Sequence, residues 1–442
     1  MKSIIVIFIS KTIMFFLKLL GRGSVFPGAL AMDLDKNILS KFKIPKIVIA
    51  VTGSSGKTST SYMIYKILKD NGYKVAHNSR GSNLITGIIN LFLDNSNIFG
   101  NNNLDAIVME IDERYTKEVF SYIKPTHVLL SNITRDQPPR HGNYKKVYDV
   151  ILAAIPSDAT LIINGDDPIV TTLASKFTTK KVYFGVEKNA ESYDSLISSC
   201  LDMVYCPKCK HKLKYNYVQY GNVGNYYCPN CDFKRPNIDY AITDITRNVV
   251  TVNNKYKIKT NYQMLYLYYN LIAAISMCST IGIEIPKIIE TLNNIELLQQ
   301  RYEVLNFNNR NCYIINGKNE NATSYNQAIN YIRNKKELKT IVFGFEYISK
   351  RYPYQDISWL YDIDFELLSN IDKFICIGPF ANEIALRILV TNKVSKENII
   401  PLKDFSLLDT TLFNSQGTIY AVLNMGTEEA FIKAIKGVKH EN

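Results

Sequence analysis

Long apolar runs, histidines and dense basic blocks are scarce in this 442-residue sequence. The apolar runs at residues 4–9 and 13–20 are interrupted by serine and lysine, so both fall short of the roughly 20 apolar residues of a membrane-spanning helix. None of the five histidines lies beside a candidate nucleophilic cysteine, so no Cys–His catalytic pair is evident. The lysines are scattered without interleaved aromatic residues, and we therefore expect no nucleic-acid partner.

The overall composition is typical of a folded globular protein, with 46% hydrophobic and 21% charged residues. The chain is too long for one compact core, and we expect two or three domains. A net charge of +12 favours polyanionic partners such as a nucleotide or an anionic lipid.

Residues 3–20 predict an amphipathic helix, because polar residues recur at spacings of seven on one helical face: Ser3, Ser10, Lys11 and Lys18. This helix either docks on the protein core or lies on a membrane surface. A signal peptide is the competing interpretation, since residues 29–31 mimic a cleavage site. Lysines within the apolar region argue against export, as does the motif at residues 52–58. We predict a cytoplasmic protein and leave contact with the inner face of the plasma membrane open.

A phosphate-binding loop is predicted between an apolar strand at residues 46–51 and a helix at residues 58–70. The loop consists of Thr52, Gly53, Ser54, Ser55, Gly56, Lys57 and Thr58. Small residues let backbone N–H groups close around phosphate oxygens, and the helix N-terminus adds partial positive charge. We expect Lys57 to reach the β- and γ-phosphates of ATP and Thr58 to coordinate Mg²⁺. The usual pattern has a further glycine where this chain has Val51, so an ordinary strand-to-helix turn is the alternative.

Carboxylates end the predicted strand at residues 105–111. Glu110 is a candidate Mg²⁺ ligand near the phosphate loop, but Asp112 shares its strand face, and a solvated strand end is the alternative. Polar segments also follow two later predicted strands, at residues 131–137 and 164–168. Since ligands bind at the carboxyl ends of parallel strands, the three polar segments predict one assembled site.

Four cysteines have the spacing of a metal site. Cys206 and Cys209 form one C-x2-C pair, and Cys228 and Cys231 form a second after an 18-residue gap. This spacing suits tetrahedral Zn²⁺ held by four thiolates, which leaves no open position for catalysis. Disulfides are the alternative, which a cytoplasmic location disfavours. We predict a structural zinc ribbon at about residues 200–236.

The alternation of helical and strand patterns predicts an α/β fold with a mostly parallel central sheet. We predict an N-terminal amphipathic helix and lead-in at residues 1–40, an ATP-binding domain at residues 41–300 that carries the inserted zinc ribbon, and a second α/β domain at residues 301–442. Predicted strands of the second domain lie near residues 339–345, 373–377 and 418–423.

Several motifs resemble those of the Mur ligases, ATP-dependent amide-forming enzymes of peptidoglycan synthesis. The matching segments are residues 52–58, 110–113, 135–137 and 164–168. The four-cysteine insert and residues 356–366 narrow the resemblance to the MurT-type subunit of lipid II isoglutaminyl synthase. The resemblance covers nearly the whole chain, and it implies a Mur-ligase-like phosphate-loop domain followed by a Rossmann-like C-terminal domain.

The resemblance implies amidation of the α-carboxylate of D-glutamate in the lipid II stem peptide through an acyl phosphate, with ATP, Mg²⁺ and Zn²⁺ as cofactors. Lys57 and Glu110 are then expected to be catalytic, since Lys57 and bound Mg²⁺ neutralise the transferred phosphoryl group. Asn270 matches an adenine-side motif, and Arg301 is a candidate phosphate contact near the domain hinge.

The resemblance also implies a partner, a GatD-type glutaminase subunit that supplies ammonia. Asp356 matches the aspartate that is thought to orient the imidazole of the partner's Cys–His pair. From residue type alone, a helix-starting or salt-bridged carboxylate is the alternative.

Four segments depart from the family pattern. They are residues 137–139, 264–269, 318–322 and 345–355. These departures affect adenine contacts and acceptor binding, so the acceptor could differ from the family's. Two alternatives follow, a divergent nucleotide-binding scaffold whose ligase activity has decayed and another Mur-type ligase that adds an amino acid.

Overall fold

The computed structural model describes residues 2–21, 25–78, 82–135, 143–196, 201–246, 248–260, 264–295, 302–317, 321–346 and 356–436. The helices are α1 (Lys2–Leu19), α2 (Phe26–Leu34), α3 (Lys57–Asp70), α4 (Ile85–Asn95), α5 (Thr116–Tyr122), α6 (Tyr144–Ala154), α7 (Pro168–Ala174), α8 (Leu265–Ile281), α9 (Ile285–Asn294), α10 (Ala322–Arg333), α11 (Ala381–Val390), α12 (Leu408–Phe413) and α13 (Met425–Lys436). The strands are β1 (Ile47–Thr52), β2 (Val75–His77), β3 (Ala106–Glu110), β4 (His127–Leu130), β5 (Thr160–Asn164), β6 (Lys181–Val186), β7 (Lys214–Tyr220), β8 (Val223–Tyr227), β9 (Tyr240–Thr246), β10 (Val249–Val252), β11 (Tyr256–Lys259), β12 (Tyr302–Phe307), β13 (Arg310–Asn316), β14 (Lys339–Gly344), β15 (Ile371–Ile377), β16 (Ile399–Leu402) and β17 (Thr418–Leu423).

The first sheet has its strands in the order β11-β10-β9-β6-β5-β4-β1-β3-β2. All neighbours from β9 to β2 along this order are parallel, whereas β9, β10 and β11 form an antiparallel edge. In β1, which lies between β3 and β4, Ile49, Ala50 and Val51 are fully buried. Such continuous burial is typical of a parallel strand covered on both faces. The prediction of a mostly parallel sheet is confirmed.

Helices cover both faces of this sheet. On one face, Ile64 and Ile67 of α3 share a core with α8 and α9. On the other face, Ile88 and Phe92 of α4 share a core with α5, α6 and α7. The central helix α8 is apolar around most of its circumference, which is the pattern of a helix buried inside a domain.

The first two helices dock on α4. Val6 and Ile7 of α1 and Ala31 of α2 are buried in the same core as Ile88. Among the described residues, no helix combines the length and apolar character that crossing a bilayer requires.

The strands β7 and β8 form a hairpin of their own outside the main sheet. In the chain this hairpin lies between β6 and β9, which pair directly in the main sheet. The cysteine segment is therefore an insertion between β6 and β9, which are neighbouring strands of the main sheet.

The second sheet has the order β12-β13-β17-β14-β15-β16, and only β12 and β13 are antiparallel. Its core is aromatic, with the ring of Trp359 centred 5.2 Å from Tyr325 and 4.8 Å from Phe345. The chain changes sheets between β11 and β12. The domain boundary at residue 300 stays a prediction, because residues 296–301 lie outside the described ranges.

Candidate active site

The phosphate loop joins β1 to α3 at the carboxyl edge of the first sheet. Two of its residues, Gly53 and Gly56, have φ angles of +134° and +86°, which favour glycine. A Cβ on Gly53 would lie 2.3 Å from Oγ of Ser131, and one on Gly56 would lie 2.3 Å from Oδ1 of Asn270. Both positions therefore require glycine for conformation and for space. Asn270, the candidate adenine-side residue, lies directly against this loop.

The segment after β4 holds the loop in shape. The backbone N–H groups of Ser54 and Ser55 donate to the carbonyl oxygen and Oδ1 of Asn132, both at 2.9 Å. Oγ of Ser131 donates to the carbonyl oxygen of Ser55 at 2.7 Å. The loop is thus pre-shaped by residues that follow a neighbouring strand, and the polar segment that begins at Ser131 meets the phosphate loop.

Lys57 is already paired in this site. Its Nζ donates to Oε2 of Glu113 at 2.7 Å and to the carbonyl oxygen of Gly53, and the Lys57 and Glu113 side chains are buried. The sequence pattern singled out Lys57 but not Glu113 as its partner. A phosphate oxygen that binds Lys57 would compete with this carboxylate for the ammonium.

The side chains of Thr58 and Asn83 lie beside the carboxyl group of Glu110 and favour its ionised form. Burial raises the pKa of Glu110, an effect that the nearby charge of Lys57 opposes. Oε2 of Glu110 is buried without a hydrogen-bond partner among the described residues. A threonine hydroxyl beside an under-coordinated carboxylate oxygen fits Mg²⁺, which prefers hard oxygen ligands.

The competing carboxylate, Asp112, is engaged elsewhere. Arg114 donates to it from Nε at 2.6 Å and also from Nη2. A bidentate pair of this kind occupies both carboxylate oxygens, which the sequence pattern did not reveal. Among the two candidates, Glu110 is the one that contacts the phosphate loop.

The third polar segment, residues 164–168, hydrogen bonds to the segment that follows β4 and so supports the site. Nδ2 of Asn164 donates to the carbonyl oxygen of Ser131 at 2.9 Å. Asp167 accepts the N–H of Ile133 at 3.0 Å and caps α7, and its burial raises its pKa to about 7. The segment joins the assembly as predicted, but its carboxylates bind backbone N–H groups and buried side chains rather than face the phosphate loop.

The fully buried Asp166 links this support to the cysteine insert. Its Oδ1 accepts from Nε of Arg235 at 2.6 Å, and its Oδ2 accepts from the hydroxyl of Tyr269 at 2.7 Å. Nη1 of Arg235 also donates to Glu187 at 3.0 Å. Sequence analysis missed Arg235, since a single arginine among many basic residues gives no pattern.

A cleft opens between the phosphate loop and the second sheet's α10. Its walls are Ser55, Gly56, Ser131, Asn132, Phe184, Tyr220, Tyr266, Tyr269, Asn270, Ser324 and Gln327. Near it, Arg135 pairs with Asp202 at 2.8 Å and with Asp362 at 3.5 Å, which ties the two α/β units together. The aromatic wall is a feature that sequence analysis did not assign.

Asp356 lies apart from this cleft, in the unit of the second sheet. It is half-buried, and its Oδ1 accepts the N–H of Ser358 at 2.9 Å as a short 3-10 helix, Ser358–Asp362, begins. The buried Trp359 anchors that helix. Arg301, the other candidate residue of this half, lies outside the described residues, as do residues 136–142 and 318–320.

The four cysteines of the insert converge. Their sulfur atoms all lie within 4.8 Å of one another, with Cys206 to Cys231 at 3.5 Å and Cys209 to Cys228 at 3.3 Å. These separations exceed the roughly 2.0 Å of a disulfide and approach the about 3.8 Å expected between thiolates that hold Zn²⁺ tetrahedrally. All four thiols are free, so the disulfide alternative is wrong and the donor set fits zinc.

Backbone turns present these thiols as two knuckles. In the first, the N–H of Lys210 donates to the carbonyl oxygen of Cys206, and Lys210 has a φ of +64°. In the second, the N–H of Cys228 donates to the carbonyl oxygen of Phe233. Leu213 and Phe233 belong to the small apolar cluster around the cysteines, so the hairpin has little core of its own.

Comparisons with known proteins agree with this geometry. Residues 51–228 match the Mur ligase middle domain family, and residues 319–425 match the MurT ligase C-terminal family. The chain is similar to the lipid II isoglutaminyl synthase (glutamine-hydrolyzing) subunit MurT of Streptococcus pneumoniae, with 31% identity over 390 residues that cover 85% of this chain and 84% of the relative. It is 28% identical over 385 residues to the subunit of the same name from Staphylococcus aureus, covering 83% of each chain.

Solved structures show the same fold at lower identity. A pseudomurein peptide ligase type C from Methanothermus fervidus matches with a TM-score of 0.67 and 22% identity, covering 91% of this chain and 81% of that one. The MurF ligase of Thermotoga maritima in complex with ADP matches with a TM-score of 0.60 and 15% identity, covering 93% and 84%. Since the identity to the Streptococcus pneumoniae protein extends over most of both sequences, the chain belongs to the MurT family of Mur ligases.

Proposed function

We propose that the protein is the synthetase subunit of a lipid II isoglutaminyl synthase and amidates the α-carboxylate of D-glutamate in the lipid II stem peptide. The observation that carries this proposal is the assembly of Lys57, Thr58 and Glu110 around a pre-shaped phosphate loop. The printed name of the relatives, a glutamine-hydrolyzing lipid II isoglutaminyl synthase subunit, supports the acceptor and the nitrogen source.

The reaction proceeds in two steps, formation of an acyl phosphate and its displacement by ammonia. A carboxylate oxygen of the acceptor attacks the γ-phosphorus of ATP, the bond from that phosphorus to the bridging oxygen breaks, and ADP leaves. Ammonia then attacks the acyl carbon, the carbon–oxygen bond to phosphate breaks, and the nitrogen loses a proton to give the amide. The protein contributes mainly position and charge to such transfers.

The described residues have separate roles in the first step. The backbone of residues 53–56 receives the phosphates, and Lys57 exchanges Glu113 for the γ-phosphate. Thr58 and Glu110 would hold Mg²⁺, which supplies positive charge to the β- and γ-phosphate oxygens. Asn270, which lies against the loop, would contact the nucleotide, and Arg301 stays a predicted phosphate contact.

The nitrogen source is a partner of the GatD glutaminase type. The word "subunit" in the relatives' name supports a complex, and the scarcity of histidine supports a separate glutaminase. Asp356 is the residue we assign to that interface, where it orients the partner's catalytic imidazole. Its position, half-buried outside the nucleotide cleft, leaves it accessible for this role.

We propose that the four cysteines hold a structural Zn²⁺. Four thiolates complete a tetrahedral shell, so the metal has no position for substrate and acts by fixing the hairpin against the sheet. Arg235 connects the insert to the site, because it donates a hydrogen bond to Asp166.

An isotope experiment tests the function directly. The chain and a glutaminase subunit are incubated with ATP, Mg²⁺, glutamine and lipid II whose D-glutamate α-carboxylate carries ¹⁸O. Mass spectrometry should find the carboxamide product and one labelled oxygen in the released phosphate. Unlabelled phosphate alone indicates futile hydrolysis by a scaffold. An added amino acid in place of the amide indicates a different Mur-type ligase.

A further inference from the structure

Helix α1 presents most of its large apolar residues to solvent, while its polar stripe and two apolar residues, Val6 and Ile7, face the protein. Its outward residues, here called the α1 face, recur at helical spacing and continue one residue past the helix: Ile5, Phe8, Ile9, Phe15, Phe16, Leu19 and Leu20. The side chains of Phe15 and Leu19 are 60% and 67% exposed. A helix that only caps a domain core shows the opposite polarity.

The polar stripe of α1 fixes this orientation. Oγ of Ser3 donates to Asp35 at 2.8 Å, and Nζ of Lys11 donates to the carbonyl oxygen of Ser96 at 2.6 Å. Lys18 pairs with an aspartate of α4. Because these contacts lie along the length of the helix, the α1 face cannot turn inward. The polar residues that recur at spacings of seven in the sequence therefore bind α1 to the rest of the domain.

The neighbouring helix α2, which packs against α1, adds exposed apolar residues, since Phe26 is 53% exposed and Val25 just before it is 42% exposed. The surrounding charge is positive. Residues 1–46 contain eight lysines and arginines against two aspartates. At one end of α1, the Ser3 hydrogen bond and the charges of Lys2 and Lys41 lower the pKa of Asp35, so basic groups cluster there.

We propose that this surface docks the protein on an anionic lipid bilayer, with the α1 face at the boundary of headgroups and acyl chains and exposed lysines outside the polar stripe, such as Lys2 and Lys41, toward lipid phosphates. An interfacial helix sinks its apolar side roughly 5–10 Å into that boundary and gains further from anionic lipid. Exposed aromatic rings in a segment with excess positive charge fit the interface of an anionic bilayer. The choice of a bilayer rests in part on the proposed function, whose acceptor is carried on a lipid.

Vesicle co-sedimentation of the full-length chain tests the proposal. We expect binding to vesicles with phosphatidylglycerol, weaker binding to pure phosphatidylcholine, and loss of binding as salt rises. The double variant Phe15→Ser/Phe16→Ser should lower the partition coefficient at least tenfold. The matched control is Leu407→Ser/Phe413→Ser, whose side chains are 60% and 61% exposed in the second unit. The control should bind as wild type does.

A second measurement does not depend on removing apolar residues. Phe16→Trp places an indole on the α1 face, whereas the native Trp359 is buried at 2% exposure. Brominated lipid should quench the added indole and leave the wild-type emission unchanged. Equal partitioning of wild type and the double variant, or no quenching of the added indole, would overturn the proposal.

Two other occupants of the surface have their own signatures. If light scattering shows a wild-type dimer that the double variant loses, the surface binds a second copy and the proposal is wrong. If the double variant loses the glutaminase subunit, the surface binds that subunit and the proposal is again wrong. With a water-soluble acceptor that lacks the lipid tail, the double variant should amidate as fast as wild type. If the wild type binds vesicles but does not amidate the acceptor, the proposed function is wrong and the proposed bilayer contact is still supported.

Discussion

The ammonium of Lys57 and the carboxylate of Glu113 lie 2.7 Å apart beside the phosphate loop, and both side chains are buried. The charge that is expected to meet the γ-phosphate is therefore neutralised in the protein itself. We therefore expect nucleotide binding and release to be a competition between two anions for one lysine.

Glu113→Gln keeps the shape of the side chain and removes its charge. Breaking one side of a buried ion pair costs roughly 3–5 kcal/mol, so the nucleotide-free variant should unfold at a lower temperature. A non-hydrolysable ATP analogue with Mg²⁺ should raise its unfolding temperature by more than that of wild type, because the phosphates supply the missing negative charge. The exposed Glu290→Gln serves as control. Equal nucleotide-induced shifts in wild type and Glu113→Gln would contradict this interpretation.

Lys57→Ala should reduce both amidation and ATP hydrolysis by a factor on the order of 10³ or more, because no other described cation contacts the loop from its position. Initial rates with glutamine and with ammonium as nitrogen source measure the loss. Lys66→Ala, on the same helix and in a more exposed pair with Asp70, should keep the wild-type rate. Amidation by Lys57→Ala at the wild-type rate would show that the site is assigned wrongly.

Asp356→Asn should suppress glutamine hydrolysis by the complex and spare amidation from added ammonium, since the residue acts on the partner's imidazole. Asp404→Asn is a close match, because Asp404 accepts the N–H of Ser406 at 2.9 Å as Asp356 accepts that of Ser358. The ratio of the glutamine-dependent to the ammonium-dependent rate isolates the effect. Loss of both rates together would refute the proposed role of Asp356.

Removal of the metal from the cysteine cluster should destabilise the fold before it affects chemistry, because ligation and folding are coupled. Chelation, or the substitution Cys209→Ser, should lower the unfolding temperature and release about one zinc per chain. Zinc added back to the chelated wild type should restore the unfolding temperature. A chelated protein with unchanged stability and no ammonium-dependent amidation would instead indicate a catalytic metal.

Glu191 gives the first α/β unit a pH-dependent stability. Burial raises its pKa from 4.5 to about 7, although Lys335 and Arg333 oppose the shift. Between these values the unfolded chain releases the proton while the folded protein keeps it, so the free energy of unfolding falls as pH rises through this window. The substitution Glu191→Gln removes the titrating group and with it this decrease in the free energy of unfolding. Its unfolding temperature relative to wild type should rise from pH 4.5 to pH 7 and then level off. Parallel profiles for the two proteins would exclude this assignment.

Features set by local chemistry could be predicted from the sequence. The apolar run at residues 46–51, followed by small residues and a lysine, is observed as β1, the loop and α3. The cysteine spacing likewise predicted a cluster, because two short turns can bring four thiols together without help from the rest of the chain.

Features that depend on contacts between residues distant in sequence could not be predicted from the sequence. The strands β12 and β13 were not predicted, since residues 310–316 alternate weakly and gain their strand form from pairing with β17, about a hundred residues later. The ion pair of Glu113 with Lys57 exists because β3 lies beside β1. The role of Arg235 is visible only where the insert meets Asp166.

The direct pairing of β6 with β9 also bears on how the protein assembles. Gly185 lies opposite Ala241, so about fifty residues must close into a ring of chain before the nucleotide-binding sheet can acquire its outer three strands. The entropy lost in such closure grows with the logarithm of the ring's length. Metal ligation between Cys206 and Cys231 would shorten the free length of chain in that ring. We therefore expect the outer strands to be added faster when the thiols are ligated first.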